Sequence, residues 1–259
     1  MEVLRPDFKL DSFFDALNQS GNRALLLDYD GTLAPFKVNR NEALPYPDVM
    51  PAIDAIMGTG GCRVVIISGR TIEEIKPLLA LKNLPEIWGS HGWERLWPDG
   101  KYEVTELTDS LKQGLASAYG WLVVEGLVER AEEKPGSVAL HWRGLEPTKI
   151  QELEKKTLEN WQPIAAGADL QIHSFDGGLE LRAPGRDKGY AIKKIASEMG
   201  RGVVSYLGDD LTDEDAFRAL DKTGLGVLVN QRLRSTAATL WIKPPGELLQ
   251  FLKRWKQAL

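Results

Sequence analysis

Two aspartates that follow an apolar run have the clearest chemical potential in this sequence. Asp28 and Asp30 come directly after the apolar residues 24–27, and Gly31 and Thr32 follow them. Such a run is typical of a central parallel strand, which would bring both carboxylates to the sheet edge where α/β proteins bind ligands. Neighbouring carboxylates repel each other unless a cation or proton lies between them, and oxygen ligands suit Mg²⁺. The pattern predicts metal-dependent phosphoryl transfer, with a polar turn as the alternative.

Three more apolar runs end on polar residues. Residues 63–67 precede Ser68, residues 203–208 precede Asp209 and Asp210, and residues 226–229 precede Asn230. Parallel strands bring their carboxyl ends to one edge, so we expect these side chains to lie near Asp28. That edge could supply a nucleophile, a metal site and a hydroxyl for phosphoryl transfer.

The helices that position these residues carry recognisable start signals. Ser68 precedes a capping-box pattern at Thr71 and Glu74, so its hydroxyl could hold a phosphate oxygen or could simply cap the helix. Asp187 is predicted to cap a helix over residues 188–199. Lys188 then lies in the first turn, against the helix dipole, which suits an anionic site or an ordinary surface lysine.

Two further helix starts are predicted from capping residues. Asp48 is expected to cap the helix that follows it. Thr212 is expected to cap a helix opened by residues 213–215, whose negative charge suits the helix dipole. Capping thus explains Asp213 but leaves Asp209 and Asp210 unexplained.

The pattern changes between residues 102 and 181, where the apolar runs give way to alternating segments. In residues 138–143 the large apolar side chains fall on one face, while His141 and Arg143 fall on the other. The same alternation recurs at residues 170–173 and 179–182. We expect a small sheet with one polar face, forming an inserted cap over residues 101–183 that roofs the catalytic cleft, within a core of residues 1–100 and 184–259. A polar face that meets solvent is the alternative.

Composition bounds the function classes. With 259 residues, 43% of them hydrophobic, the chain is long enough for one large α/β domain or two smaller ones. The net charge of -5 argues against a nucleic-acid partner. A single cysteine, Cys62, excludes an intramolecular disulfide and a thiolate metal cluster. No apolar stretch approaches about 20 residues and the start lacks a signal-peptide core, so we expect no membrane span and a cytoplasmic location.

Four motifs, in order, resemble those of the haloacid dehalogenase superfamily of phosphatases. They are Asp28-Tyr29-Asp30-Gly31-Thr32, Ser68-Gly69-Arg70, Lys188 and the block 208–214. A finer resemblance, to the trehalose-6-phosphate phosphatase family, is carried by residues 89–94, Glu133-Lys134, Ala139-Leu140-His141 with Arg143, and Glu180. It implies an α/β fold, with a Rossmann-like parallel-sheet core and an inserted α/β cap of the C2 type.

The resemblance also implies catalytic roles. Asp28 would attack phosphorus and form an aspartyl-phosphate, and Asp30 would act as general acid and base. Mg²⁺ would be held by the Asp28 side chain, the Asp30 main-chain carbonyl and Asp209. The remaining roles belong to Ser68 and Lys188, which would bind phosphoryl oxygens, and to Asp210 or Asp213, which would hold metal-bound waters or orient Lys188.

The implied substrate is a sugar phosphate, trehalose 6-phosphate. Its predicted binding residues are Ser68, Arg70, Glu94, Lys134, His141, Arg143, Glu180 and Lys188. The alternatives are another glycosyl phosphate (sucrose phosphate, or a glucosyl or mannosyl glycerate phosphate), a sugar phosphomutase reaction and, remotely, a non-catalytic regulatory module. A trehalose-phosphate synthase is a candidate partner.

Overall fold

A computed structural model describes residues 1–37, 39–175 and 177–259. The chain forms two compact units: Met1–Glu103 with Arg186–Leu259, here called the core unit, and Val104–Gly185, here called the inserted unit. Each has its own sheet. The mixed α/β architecture with a parallel central sheet confirms the predicted fold class.

Both sheets are built from short strands. In chain order they are β1 (Glu2–Val3), β2 (Arg23–Leu27), β3 (Arg63–Ile67), β4 (Glu86–Gly89), β5 (Glu94–Leu96), β6 (Tyr102–Val104), β7 (Ala131–Lys134), β8 (Ser137–His141), β9 (Gln171–Phe175), β10 (Gly178–Arg182), β11 (Val203–Gly208), β12 (Leu225–Val229) and β13 (Leu240–Ile242).

The helices alternate with these strands along most of the chain. They are α1 (Leu10–Gln19), α2 (Val49–Met57), α3 (Ile72–Leu79), α4 (Asp109–Val124), α5 (Pro147–Ala168), α6 (Lys188–Met199), α7 (Glu214–Ala219) and α8 (Gly246–Gln257). None of the helices in the described ranges is both long and apolar enough to span a membrane.

The core sheet has the order β1-β13-β12-β11-β2-β3-β4-β5-β6. The six strands from β13 to β4 are parallel. Their side chains alternate between two apolar layers: Leu25 and Leu27 pack with α1, α2, α3 and α8, whereas Ala24 and Leu26 pack with α6 and α7. Because both faces of the sheet are covered, polar groups reach the surface mainly where strands end.

The inserted unit contains an antiparallel sheet of order β7-β8-β10-β9. Residues paired across antiparallel strands share a face, so Glu132, Ala139, Glu180 and His173 form one row. The opposite face carries Val138, Leu140, Leu179 and Leu181, which are buried where α4 and α5 contact the sheet. The alternation read from the sequence is therefore present, and one sheet face is polar.

Four capping predictions can be compared directly with the structure, and the capping box at Thr71 and Glu74 is confirmed. Asp187 caps α6, accepting a hydrogen bond from the Tyr190 N–H. Asp48 precedes α2 but has a left-handed backbone (φ 67) and makes no side-chain cap, so that prediction is wrong. The cap predicted at Thr212 is also wrong, since the Asp210 side chain accepts from the Thr212 N–H in a capping box with Asp213.

Candidate active site

The carboxyl ends of the parallel strands bring the predicted residues to one edge of the core sheet. β2 lies between β11 and β3, and the ladder continues past β2 because the Asp28 N–H donates to the Leu207 carbonyl at 2.9 Å. On the other side of β11, the Asn230 side chain donates to the Asp209 carbonyl at 3.3 Å. The sheet register thus places the loops after β2, β11 and β12 together.

Lys188 joins two aspartates across this edge. Its Nζ donates to Asp28 Oδ1 and to Asp213 Oδ1, both at 2.7 Å, and the lysine is only 4% exposed. Asp187 fixes the first turn of α6, which directs the lysine inward although the helix dipole disfavours a cation there. Of the two alternatives for Lys188, the anionic site is the observed one.

Asp213 organises the loop after β11. Its Oδ2 accepts from the N–H groups of Asp209 and Asp210 at 2.8 and 2.9 Å, while its Oδ1 accepts from Lys188 and from the Tyr206 hydroxyl. A carboxylate offers about four acceptor positions, and these four donors fill them. Asp213 therefore links the lysine to the backbone that carries Asp209.

The electrostatics of the cluster are dominated by burial and an excess of negative charge. Burial raises the pKa of Asp28 to about 8, with Lys188 opposing the rise and Asp213 adding to it. Burial, then the charges of Asp28 and Asp213, raise the pKa of Asp209 well above its usual value. Burial works against the charge of Lys188, but the two carboxylates outweigh it and raise the pKa of the lysine.

The carboxylate oxygens of this cluster suit a hard divalent cation. Asp28, Asp209 and Asp213 each offer an oxygen, and the three oxygens lie within 4.8 Å of one another. Gly31 approaches this group so closely that a Cβ there would lie 2.1 Å from Asp209 Oδ2. Oxygen ligands and clustered negative charge are what Mg²⁺ prefers, and a cation here would offset the burial and the like-charge repulsion that raise both aspartate pKa values.

A second pair lies on the loops after β2 and β3. The guanidinium of Arg70 donates from Nε and Nη2 to the two oxygens of Asp30, both at 2.6 Å. The Ser68 hydroxyl accepts from the Arg70 N–H at 3.1 Å, and both Ser68 and Arg70 are buried. Arg70 thus holds the Asp30 side chain, and its predicted contact with substrate stays a prediction.

Glu94 is buried in the core unit. Its two oxygens accept from the hydroxyls of Ser90 and Tyr102. Ser90 and His91 both have positive φ values, 49 and 55, which are sparsely populated for residues other than glycine. The motif 89–94 is therefore a tightly constrained loop, and the predicted contact of Glu94 with a sugar stays untested.

The other predicted sugar-binding residues lie in the inserted unit, on the polar side of its sheet. Lys134 Nζ lies 3.2 Å from Glu132 and 3.5 Å from Glu180, and His141 Nε2 lies 2.8 Å from Glu132. Glu180 also accepts from Ser137 at 2.7 Å and from Arg182 at 2.7 Å. Arg143 is half-buried, and its side chain lies against Gly177. Lys134, His141 and Glu180 thus form one connected network.

Tyr206, Glu132 and Arg234 belong to these networks, although sequence reasoning did not select them. Tyr206 is part of an apolar strand and looks like a core residue until its hydroxyl is seen on Asp213. Glu132 pairs with His141 because β7 and β8 are adjacent, which a single sequence does not reveal. Arg234, whose Nε donates to the Asp209 carbonyl, lies in an irregular segment that carries no motif.

The fold is haloacid-dehalogenase-like: a parallel sheet, whose carboxyl edge carries aspartates and a buried lysine, with an inserted α/β unit. A haloacid dehalogenase-like hydrolase from B. subtilis has the same fold, with a TM-score of 0.64 and 16% identity over 89% of this chain and 99% of that one. Within this class, the chain belongs to the trehalose-phosphatase family, whose model matches residues 26–240. This confirms the resemblance seen in the motifs.

Individual relatives support this placement. The chain is 33% identical to a probable trehalose-phosphate phosphatase of Sinorhizobium fredii, over 83% of this chain and 80% of the relative. It is 32% identical to an uncharacterized glycosyl hydrolase of Mycobacterium tuberculosis over 89% of its own length, but it spans only 18% of that protein. The C. albicans trehalose-6-phosphate phosphatase C-terminal domain shares the fold, with a TM-score of 0.79 and 20% identity over 100% of both chains.

Proposed function

We propose that this chain is a Mg²⁺-dependent phosphatase that hydrolyses trehalose 6-phosphate to trehalose and phosphate. The observation that carries the proposal is the buried Lys188, which bridges Asp28 and Asp213 beside Asp209. A lysine among several buried carboxylates suits a site that binds a dianionic group and a cation together. The family supplies the substrate class, a sugar phosphate.

In the proposed first step, an Asp28 oxygen attacks phosphorus and the bond from phosphorus to the sugar oxygen breaks. Asp30 gives its proton to the leaving oxygen, so trehalose departs neutral and Asp28 carries the phosphoryl group. In the second step, Asp30 takes a proton from water, whose oxygen attacks phosphorus and restores the Asp28 carboxylate. In the structure Arg70 donates to both Asp30 oxygens, so this pair must open at one oxygen before Asp30 can carry the proton.

The residues that would hold the metal are the Asp28 side chain, the Asp30 main-chain carbonyl and Asp209. Asp213 lies near enough to contribute, but its acceptor positions are filled by Lys188, Tyr206 and two backbone N–H groups. We therefore assign Asp213 to the orientation of Lys188 and of the Asp209 backbone. When bound, Mg²⁺ supplies positive charge that offsets the phosphate dianion and the carboxylates.

Ser68 and Lys188 are the proposed ligands of the phosphoryl oxygens. Lys188 carries a full charge because its carboxylate neighbours raise its pKa. Ser68 stands at the carboxyl end of β3 and precedes the capping box of α3, whose backbone N–H groups can assist anion binding. Both side chains are buried, so their interaction with a phosphoryl group would be little screened by water.

Recognition of the sugar is proposed for Glu94 in the core unit and for Lys134, His141, Arg143 and Glu180 in the inserted unit. The inserted unit would then act as the specificity cap. The network that joins Lys134, His141 and Glu180 through Glu132 fixes donors and acceptors on one sheet face, which suits a ligand rich in hydroxyl groups. A cytoplasmic location and a trehalose-phosphate synthase partner stay predictions.

The test is phosphate release from trehalose 6-phosphate by the wild type and by Asp28→Asn, with Mg²⁺ and with chelator. Asp28→Asn keeps the side-chain shape and removes the nucleophilic charge, so we expect release to fall by at least about 10³-fold. Asp215→Asn is the matched control, because it makes the same substitution at an aspartate in the first turn of α7 whose side chain is 55% exposed. We expect it to retain full activity.

The substrate is tested separately with a panel of sugar phosphates. Faster release from sucrose phosphate or a glycosyl glycerate phosphate would overturn the trehalose assignment but leave the chemistry standing. Transfer of the phosphoryl group to a second sugar would indicate a mutase. A folded wild type that releases phosphate from no member of the panel would favour the regulatory module.

A further inference from the structure

We propose that Arg234 is a positioning residue for the metal site, acting through the main chain of Asp209 and Asp210. Arg234 follows β12 and lies outside every motif that the sequence singles out. Its Nε donates to the Asp209 carbonyl at 3.2 Å and its Nη2 donates to the Asp210 carbonyl. This inference rests on the proposed function, since it assigns Asp209 to the metal.

The main chain of Asp209 and Asp210, whose carbonyls Arg234 binds, is also held through its N–H groups. The N–H groups of Asp209 and Asp210 donate to Asp213 Oδ2, and the Asn230 side chain donates to the Asp209 carbonyl. The main chain is thus fixed through both its donors and its acceptors. What remains adjustable is the Asp209 side chain, whose carboxylate belongs to the acidic cluster.

Arg234 is itself held in place by Glu214, the first residue of α7. The Arg234 Nη1 donates to Glu214 Oε1, and Glu214 Oε2 accepts from the Ala237 N–H at 2.7 Å. Glu214 is buried and the Arg234 side chain is 23% exposed. These bonds close a ring that joins the loop after β11, the start of α7 and the segment that carries Arg234.

The guanidinium shape is what makes this contact specific. Its fork reaches two successive carbonyl oxygens and a carboxylate at once, whereas a lysine ammonium would act as one point charge on a flexible stem. Removing groups that hold a metal ligand in place typically lowers metal affinity by about 10–100-fold. We therefore expect the effect of losing Arg234 to fall on metal binding rather than on phosphoryl chemistry at saturating metal.

The test is the dissociation constant of Mg²⁺, measured by calorimetry without substrate, for the wild type, Arg234→Ala, Arg234→Lys and Glu214→Gln. We expect Arg234→Ala to weaken Mg²⁺ binding by about 10–100-fold, with kcat recovering towards the wild-type value at saturating Mg²⁺. Arg234→Lys should weaken binding less, because it keeps the charge, and Glu214→Gln should shift it in the same direction.

The matched control is Arg232→Ala. Arg232 lies two residues before Arg234 in the same segment after β12 and is exposed, so we expect an unchanged Mg²⁺ dissociation constant. Should Arg234→Ala fail to fold, the comparison rests on Arg234→Lys and Glu214→Gln.

A folded Arg234 variant that binds Mg²⁺ as tightly as the wild type would overturn the inference, even if its melting temperature were lower. A wild type that binds Mg²⁺ but hydrolyses no sugar phosphate would refute the proposed function, while the binding comparison would still decide the role of Arg234. A wild type that binds no Mg²⁺ would overturn both.

Discussion

The two ends of the parallel core sheet differ in their balance of charged side chains. At the carboxyl end, Asp28, Asp209, Asp210 and Asp213 surround a single lysine, Lys188. At the amino end, Glu86 and Glu198 are matched by two arginines, Arg63 and Arg95. Helix α6 reaches both, since it begins at Lys188 and carries Glu198 in its last turn.

The amino end is a saturated ion-pair network. Glu86 is only 3% exposed, and it accepts from Arg63 at 2.8 and 3.0 Å, from Arg95 at 2.9 Å and from the Trp88 indole at 2.7 Å. Glu198 accepts from both arginines at 2.7 Å. The two carboxylates share two guanidinium groups, so their charges balance. The network can therefore stabilise the fold without any ligand.

The pKa of Glu198 and the pKa values of Asp28 and Asp209 shift in opposite directions for this reason. Hydrogen bonding to Arg95, only partly offset by burial, lowers the pKa of Glu198 to about 2. Burial and like charges raise the pKa values of Asp28 and Asp209. The paired charges at the amino end form a structural network. The uncompensated buried charge at the carboxyl end marks the site at which we propose that a cation and a phosphate bind.

The sharpest test of this comparison is Asp209→Asn, which should separate activity from stability. Loss of a metal ligand removes several kcal/mol of transition-state stabilisation, so we expect phosphate release to fall by about 10³-fold. A raised folded-state pKa means that the Asp209 carboxylate destabilises the fold at neutral pH. In chelator, the free energy of unfolding of the variant should therefore exceed that of the wild type.

Urea unfolding at pH 7.5 with chelator, paired with phosphate release in Mg²⁺, measures both effects. Asp215→Asn again serves as the control, because its exposed charge should change neither quantity. A variant less stable than the wild type in chelator would contradict the view that this end of the sheet carries uncompensated charge.

At the amino end, Glu86→Gln should lower the stability of the fold and leave the activity nearly unchanged. Removing this buried charge leaves Arg63 and Arg95 paired only with Glu198 among the described carboxylates, and the loss of charge-assisted hydrogen bonds typically costs about 1.5–3 kcal/mol of unfolding free energy. We expect kcat and KM at 25 °C to stay within about twofold of the wild-type values, since Glu86 lies at the opposite end of the strands from Asp28. Thermal unfolding and steady-state kinetics on the same preparation test this, and a large fall in kcat with unchanged stability would refute it.

The two ends also differ in how far the sequence predicts them. The ends of four apolar strands, at Asp28, Ser68, Asp209 and Asn230, are local features, and a parallel sheet necessarily brings such ends together. Asp210 and Thr212 show the limit of this reasoning. Either residue could cap the helical turn after β11, and only the folded geometry of that turn shows that Asp210 caps it.

Contacts across long sequence distances leave no such local pattern. Glu86 pairs with Arg63, and Arg95 pairs with Glu198 over a separation of 103 residues. Tyr206 and Arg234 reach the site in the same way, through the register of β11 and the path of the segment after β12. These residues are ordinary core or loop residues in the sequence, and their roles follow only from the tertiary fold.

The smallest expected effect is the acid dependence of stability that Glu198 contributes. Its pKa falls from 4.5 to about 2 on folding, so the stabilisation is complete above about pH 4.5 and is lost as the pH falls towards 2. The side chain is 29% exposed, and after allowing for solvent screening we expect its charge to contribute on the order of 1–2 kcal/mol to the free energy of unfolding. Glu198→Gln should thus lower the free energy of unfolding more at pH 5 than at pH 2.5, narrowing its gap to the wild type as acid is added. Glu103→Gln, at an exposed glutamate of the same sheet, should follow the wild type throughout. Urea unfolding at half-unit intervals between pH 5 and pH 2.5 measures the gap, and a gap independent of pH would mean that Glu198 stabilises the fold by packing rather than by its charge.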